Sequence, residues 1–208
     1  MSQNNKTVFL VDDDQDFRDS MCWLLESAGY IVKHYDSADR FLHEYDLSMG
    51  CLLLDVRMPG TNGLALQQIL AEKHIPLPII LISGHGDIPM AVNAIKAGAL
   101  DFIEKPFDDK LLLSLVEKGL TEAQQRFASY KEEQKIFQHY DQLSGREKEV
   151  MSLVTAGNAN REIAEILKIS PKTVEVHRAR VMSKMHAENL PELVNMSTLL
   201  KQYGSLLS

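Results

Sequence analysis

Polar side chains stand at the ends of short apolar runs: Asp12 and Asp13 after Thr7 to Val11, Asp55 after Cys51 to Leu54, Ser83 after Ile79 to Ile82, and Lys105 after Phe102 to Glu104. If those runs are parallel strands, three carboxylates, a hydroxyl and an ammonium meet at one sheet edge. Two carboxylates ~4 Å apart repel by roughly 4 kcal/mol at an effective dielectric near 20, so the cluster calls for a counter-cation. Oxygen donors without His or Cys suit Mg²⁺, which keeps several waters and a phosphate oxygen in its shell. A carboxylate there can also act as a nucleophile and become an acyl phosphate. Lys105 and Ser83 would then serve the phosphoryl oxygens. Any one aspartate alone reads as a helix cap; their joint placement favours the phosphoryl site.

The elements that must position these groups follow from the hydrophobic pattern. Strands are predicted at 7 to 11, 31 to 35, 51 to 54, 79 to 82 and 101 to 104, and helices near 16 to 28, 37 to 46, 63 to 73, 88 to 98 and from 109 onward. Turn signals separate them at Gly29, Pro59-Gly60, Gly63, Pro78, Gly84 and Gly98. Repeated strand-then-helix units imply an α/β fold, a five-stranded parallel sheet wrapped on both faces. Ligands of such doubly wound sheets bind beyond the carboxyl ends of the strands where chain order reverses, here between the first and third strands. This would bring Asp12, Asp13 and Asp55 together. The Lys105-Pro106 bond is one that can adopt the cis form at low cost.

From Val116 the pattern changes to a long helix. Val116, Leu120, Ala123, Phe127, Tyr130, Gln134 and Phe137 recur at steps of four and three. This stripe fits a helical linker shielded by a neighbouring domain better than a dimeric coiled coil, because Gln134 interrupts a short seam. Residues 143 to 203 show no strand pattern and read as an all-α region. Ser144 and Glu147 have capping-box spacing, Gly157 ends that helix, Asn160 caps the next, and Ser170 with Pro171 opens a third. A fourth begins at Asn189 or Leu190. The helices flanking Lys168 to Ser170 suggest a helix-turn-helix. The expected partition is 1–120, a linker over 121–141, and 142–208.

Charge divides in the same way. Of the 208 residues, the first 125 hold 10 Lys and Arg against 19 Asp and Glu, and the remainder hold 12 against 10. An acidic front suits cation binding, and a mildly basic back tolerates a polyanion. Cys22 and Cys51 lack a CxxC spacing and read as reduced thiols; the seven histidines show no ligand pairing. No apolar run reaches the roughly 18 residues of a membrane span, and Ser2 to Lys6 lacks the order of a secretory signal. A cytoplasmic location is expected.

The stretches VDDD at 11–14, LLLDVRMPG at 52–60, ISGHGD at 82–87 and DFIEKPF at 101–107 resemble the receiver domain of two-component response regulators in order and spacing. The GHGD-I-PMAV stretch and the C-terminal part resemble the FixJ-type subgroup. The resemblance implies a flavodoxin-like receiver in which Asp55 accepts phosphate from a sensor histidine kinase. It also implies Mg²⁺ held by Asp13, Asp55 and the backbone carbonyl of Arg57, with Asp12 acting through water. Ser83 and Phe102 would form the switch pair; Phe102 holds a position often filled by tyrosine and lacks its hydroxyl. Val92, Lys96 and Asp101 are candidates on a dimer face.

Within the C-terminal region, Val174, Val181, Met182 and Met185 fit a core stripe, while Lys172, Glu175, Val176, Ala179, Arg180 and Ser183 share the other face. The stretch NREIAEILKISPKTVEVHRARVMSKM at 160–185 resembles the four-helix DNA-binding domain of the LuxR/NarL family. That implies backbone contacts from Lys172, Thr173, His177, Arg178, Arg180 and Lys184, and base reading by Glu175, Val176 and Ala179. Glu175 departs from basic choices and suits cytosine N4; His177 and Arg178 have an internal packing or pairing role as the alternative. The expected partners are a sensor kinase, a double-stranded operator, a second copy of the chain and RNA polymerase. A haloacid-dehalogenase-type phosphohydrolase would want an acid where Arg57 stands. A phosphate-independent regulator would not need the complete acidic pocket.

Overall fold

Apolar runs without polar alternation form the centre of a parallel sheet. In a computed structural model describing residues 6–84 and 88–204, β1 (Thr7–Val11), β3 (Cys51–Asp55) and β4 (Ile79–Ser83) are buried along their whole lengths. The edge strands β2 (Ile31–Tyr35) and β5 (Asp101–Glu104) are more exposed, and the order is β2-β1-β3-β4-β5. This is the doubly wound, flavodoxin-like arrangement. Strands β3 and β4 run one residue beyond the apolar runs, because Asp55 pairs with Ile82 and Ser83 with Glu104. His85 to Asp87, within the ISGHGD stretch, and the first five and last four residues lie outside the described residues.

The crossover helices are α1 (Gln15–Ser27), α2 (Ala38–Glu44), α3 (Gly63–Glu72) and α4 (Ile88–Lys96), and α5 (Asp109–Asp141) follows the last strand. Side chains of Asp14, Ser37 and Asn62 accept backbone hydrogens in the first turns of α1, α2 and α3. The ends of α2 and α4 fall two residues short of the predicted ones: Tyr45 is already extended, and Ala97 leads into Gly98 at φ 97°.

Alternate residues of each strand face opposite sides of the sheet. Phe9, Val11, Leu52, Leu54 and Leu81 pack in one core with Phe41 and Leu66; Val8, Leu10, Leu53, Ile80 and Ile82 pack in the other with Leu25, Leu112 and Val116. Burying each such side chain is worth about 1.5–3 kcal/mol. Helix α5 can press against β3 because residue 119 is glycine: a methyl there would overlap Cys51 Sγ.

The chain divides into two compact units, residues 1–128 and 129–208. Val116, Leu120, Ala123 and Phe127 of the predicted stripe are buried in the first unit's cores, and Ile136 and Tyr140 pack against the second unit's core. The first four positions of the stripe are thus covered by the receiver cores, whereas Tyr130 and Phe137 are half-buried and Gln134 is exposed.

In the second unit, α6 (Gly145–Thr155), α7 (Asn160–Leu167), α8 (Pro171–Met185) and α9 (Leu190–Gly204) surround Val150, Val154, Ile163, Val174, Val181, Met185 and Leu193. The Ser144–Glu147 capping box is formed, and Ser170 caps α8 with Pro171 at its first position. Asn160 does not cap α7. Ala159 is the cap residue, its N–H donating to Glu162 at 2.7 Å, while Asn160 Oδ1 accepts from Arg178 Nη1 at 2.6 Å. Among the described residues, no helix is long and apolar enough to cross a membrane.

Candidate functional site

The parallel register brings the ends of β1, β3 and β5 onto one ammonium. Lys105 Nζ donates to Asp12 Oδ2 at 2.7 Å and to Asp55 Oδ1 at 3.0 Å. Each carboxylate also accepts a backbone N–H on its other oxygen: Asp12 Oδ1 from Asp14 at 2.9 Å, and Asp55 Oδ2 from Arg57 at 2.7 Å. The Lys105-Pro106 bond is cis. Lys105 N–H also donates to the Ser83 carbonyl at 2.8 Å, tying the ends of β4 and β5 together, and the Ser83 side chain is buried at that edge.

Burial pushes the Asp12 carboxyl above its ordinary value, with the Lys105 hydrogen bond acting in the opposite direction. For Lys105, burial pulls downward, but hydrogen bonds to Asp12 and Asp55 and their charges outweigh it and leave the ammonium raised. Two acids therefore share one cation, leaving a surplus negative charge in a mostly dry place.

Asp13 makes no part of this lysine-sharing arrangement. It is exposed beyond the end of β1, beside Asp14, whose side chain is committed to the first turn of α1. Among the described residues, no three His, Cys, Asp or Glu groups stand together as a metal cage. The chemistry of Asp12 and Asp55 still fits a hard cation: the donors are oxygens, the charge is in excess, and a third carboxylate lies at the same strand end.

Gly63, where the predicted helix begins, is the first residue of α3. Its N–H donates to the Val56 carbonyl at 3.0 Å, and a Cβ there would overlap the Asp55 carbonyl oxygen. The glycine allows α3 to start directly against the Asp55 peptide. Phe102 is half-buried against the first core. Val92 and Lys96 are exposed on α4; Asp101 lies 3.9 Å from Lys118 Nζ and accepts the Phe102 N–H at 2.9 Å.

On α8, Lys172, Glu175, Val176, Ala179, Arg180 and Ser183 are all exposed, while Val174, Val181 and Met185 are buried. An open groove of about 630 Å³ is lined by Val176, Ala179, Arg180 and Ser183, with Glu147 and Lys184 at its wall. Lys172 pairs with Glu175 at 2.8 Å, and the Thr173 hydroxyl lies 2.8 Å from Ser170 Oγ. Three proposed backbone contacts have internal engagements or surroundings. Arg178 is held by Asn160, and His177 is half-buried with Nδ1 lacking a hydrogen-bond partner among the described residues. Lys184 donates to Glu147 Oε2 at 2.7 Å and to the Gln142 carbonyl at 3.1 Å.

Sequence reasoning missed the second role of Glu147. The Ser144 N–H donates to its carboxylate at 2.8 Å, and with Lys184 this lowers its pKa to about 2, the Lys184 hydrogen bond contributing most. The capping-box spacing reveals the first bond; nothing local reveals a lysine on another helix.

Residues 8–117 match the response regulator receiver domain, and residues 141–197 match the bacterial regulatory proteins of the luxR family. The transcriptional regulatory protein FixJ of Bradyrhizobium diazoefficiens is 44% identical over 191 residues, covering 91% of this chain and 93% of the relative. The response regulator protein TmoT of Ectopseudomonas mendocina is 42% identical over 202 residues, covering 97% and 92%. Among solved structures, the response regulator StyR has a TM-score of 0.67 at 40% identity, covering 93% of this chain and 98% of that one. With a receiver sheet ending in an acid-lysine pocket and a luxR-type helix-turn-helix after it, the chain belongs to the FixJ-type DNA-binding response regulators of two-component systems.

Proposed function

We propose that Asp55 is the phosphoacceptor and that its phosphorylation promotes receiver dimerisation and operator binding. The observation that carries this reading is the sharing of Lys105 between Asp12 and Asp55. In the transfer, an Asp55 carboxylate oxygen forms a bond to phosphorus as the P–N bond of a kinase phosphohistidine breaks; the bonding pair remains on the imidazole, which takes a proton. Lys105 exchanges its contact with Asp55 for one with the incoming phosphoryl oxygens, and Ser83 donates to another. Asp12, Asp13, Asp55 and the Arg57 carbonyl would hold Mg²⁺, which supplies charge neutralisation when bound.

Residues 1–120 serve as receiver, 121–141 as linker and 142–208 as reader. Contacts that exist only in the phosphorylated form stabilise the active receiver, with Ser83 and Phe102 as the switch pair. Val92, Lys96 and Asp101 form part of the dimer face. Two readers then occupy two half-sites, with Glu175, Val176 and Ala179 at base edges and Lys172, Thr173 and Arg180 at phosphates. His177, Arg178 and Lys184 reach phosphates by leaving or sharing their internal surroundings. The protein works in the cytoplasm on transcription, through contact with RNA polymerase at the regulated promoter.

A phosphate donor or a phosphate-mimicking fluoroberyllate should strengthen self-association and operator binding by about tenfold in the wild type. Neither should change in Asp55→Asn. Equal responses of the two proteins, measured by sedimentation and DNA titration, would remove the phospho-switch.

A further inference from the structure

The pocket lysine has a third neighbour that the phosphoryl chemistry does not use. Lys105 Nζ stands 3.6 Å from the centroid of the Phe17 ring, while its hydrogen bonds go to Asp12 and Asp55. Phe17 sits on the first turn of α1, where its N–H donates to Asp14 Oδ1 at 3.1 Å. Its ring meets Phe107 edge to face, with centroids 6.2 Å apart and planes at 90°. Phe107 follows Lys105 by two residues, so the ring touching the ammonium is braced by the same segment that carries it. Both rings pack against the second of the two receiver cores.

Lysine is a compact charge on a flexible stem, and holding it in one place costs side-chain entropy. Carboxylates alone hold Lys105 only while both remain available. Once the Asp55 oxygen turns to phosphorus, one of the two anchors is lost. The π-face of an aromatic ring attracts a cation without forming a bond that must be broken, and the attraction grows where water is excluded.

We propose that Phe17 is a positioning residue for phosphoryl transfer: its ring keeps the Lys105 ammonium at the phosphoryl site while the lysine passes from Asp55 to the incoming group. This role rests on the reading of Asp55 as the phosphoacceptor. It adds an element outside the strand-end groups, supplied by the helix that follows the Asp12–Asp13–Asp14 run.

The test is the full-length protein with Phe17 replaced by Leu, by Trp, and by phenylalanines carrying one, two or three ring fluorines. Fluorination withdraws the ring's negative face while nearly preserving its shape. Initial phosphoryl uptake from phosphoramidate with Mg²⁺ should fall about threefold to thirtyfold in Phe17→Leu, recover in Phe17→Trp, and decline stepwise with fluorine number. The Lys105 side-chain NMR resonances should show an upfield ring-current shift that Phe17→Leu removes. Wild-type uptake with a flat fluorine series, or with no such ring-current shift, would overturn the positioning role alone. A wild type that takes up no phosphate would overturn the Asp55 reading and this role with it.

Discussion

Each compact unit buries a carboxylate against a lysine, but the two arrangements have different chemical balances. In the receiver, Asp12 and Asp55 divide the ammonium of Lys105, and burial leaves Asp12 with a raised pKa. In the reader, Glu147 pairs with Lys184, accepts the Ser144 N–H as well, and is held at about pKa 2. A buried charge that is matched and hydrogen-bonded fastens two elements together; one that is short of countercharge attracts a cation or an electrophile. The contrast separates a fastening from a reactive centre without reference to sequence motifs.

That contrast can be broken most directly by removing Glu147. In Glu147→Ala, the buried end of the pair disappears, a helix cap is lost, and Lys184 is stranded. The reader should lose about 3 kcal/mol while the receiver keeps its stability and phosphoryl uptake, as measured by residue-resolved amide exchange in urea. Comparable losses in both units would show that Glu147 is not a local fastening.

A smaller effect should appear on acidification. A depressed carboxyl contributes stability that is fully present above its unfolded pKa, near 4.5, and is lost as pH falls toward its folded value of about 2. Allowing for solvent around the half-exposed Lys184, the Glu147 contribution is about 2 kcal/mol. Asp12 has the opposite sign: its folded pKa lies above the ordinary 3.8, so protonation as pH falls toward that value favours the folded receiver. Exchange-derived stabilities of the two units in the wild-type protein, compared with Glu147→Gln and Asp12→Asn controls, should show these residue-specific slopes diverging.

The smallest effect sharpens the point. Asp12→Asn relieves the surplus charge while retaining a polar group of similar size, so receiver stability should rise by about 1 kcal/mol as phosphoryl uptake falls. A fall in both would mean that Asp12 is chiefly structural.

Much of this contrast was legible in the sequence because it depends on local period and position. Unbroken apolar runs gave the buried strands, and the polar residues ending them gave Asp12, Asp55, Ser83 and Lys105 as neighbours. Ser144 and Ser170 announced their helices through side chains suited to backbone capping. What escaped depends on distant packing. Asn160 has the chemistry of a cap, yet its oxygen is occupied by Arg178 from another helix. Lys184 has the charge of a phosphate contact, yet it reaches Glu147, 37 residues away. Phe17 lies 88 residues from Lys105 in sequence, so only the fold places the ammonium over its ring.

The continuous α5 helix carries a practical consequence for dissecting the molecule. Phe127 is buried with the receiver core, whereas Ile136 and Tyr140 pack on the reader core. Between these positions, Ala128, Ser129, Lys131, Glu132, Gln134 and Lys135 are exposed. An isolated reader fragment that began at residue 142 would discard part of its own hydrophobic interior, while a receiver ending at residue 120 would lose Ala123 and Phe127. A cut within 128–132 leaves each fragment the apolar side chains on which its fold depends, and it places the new termini in a polar stretch.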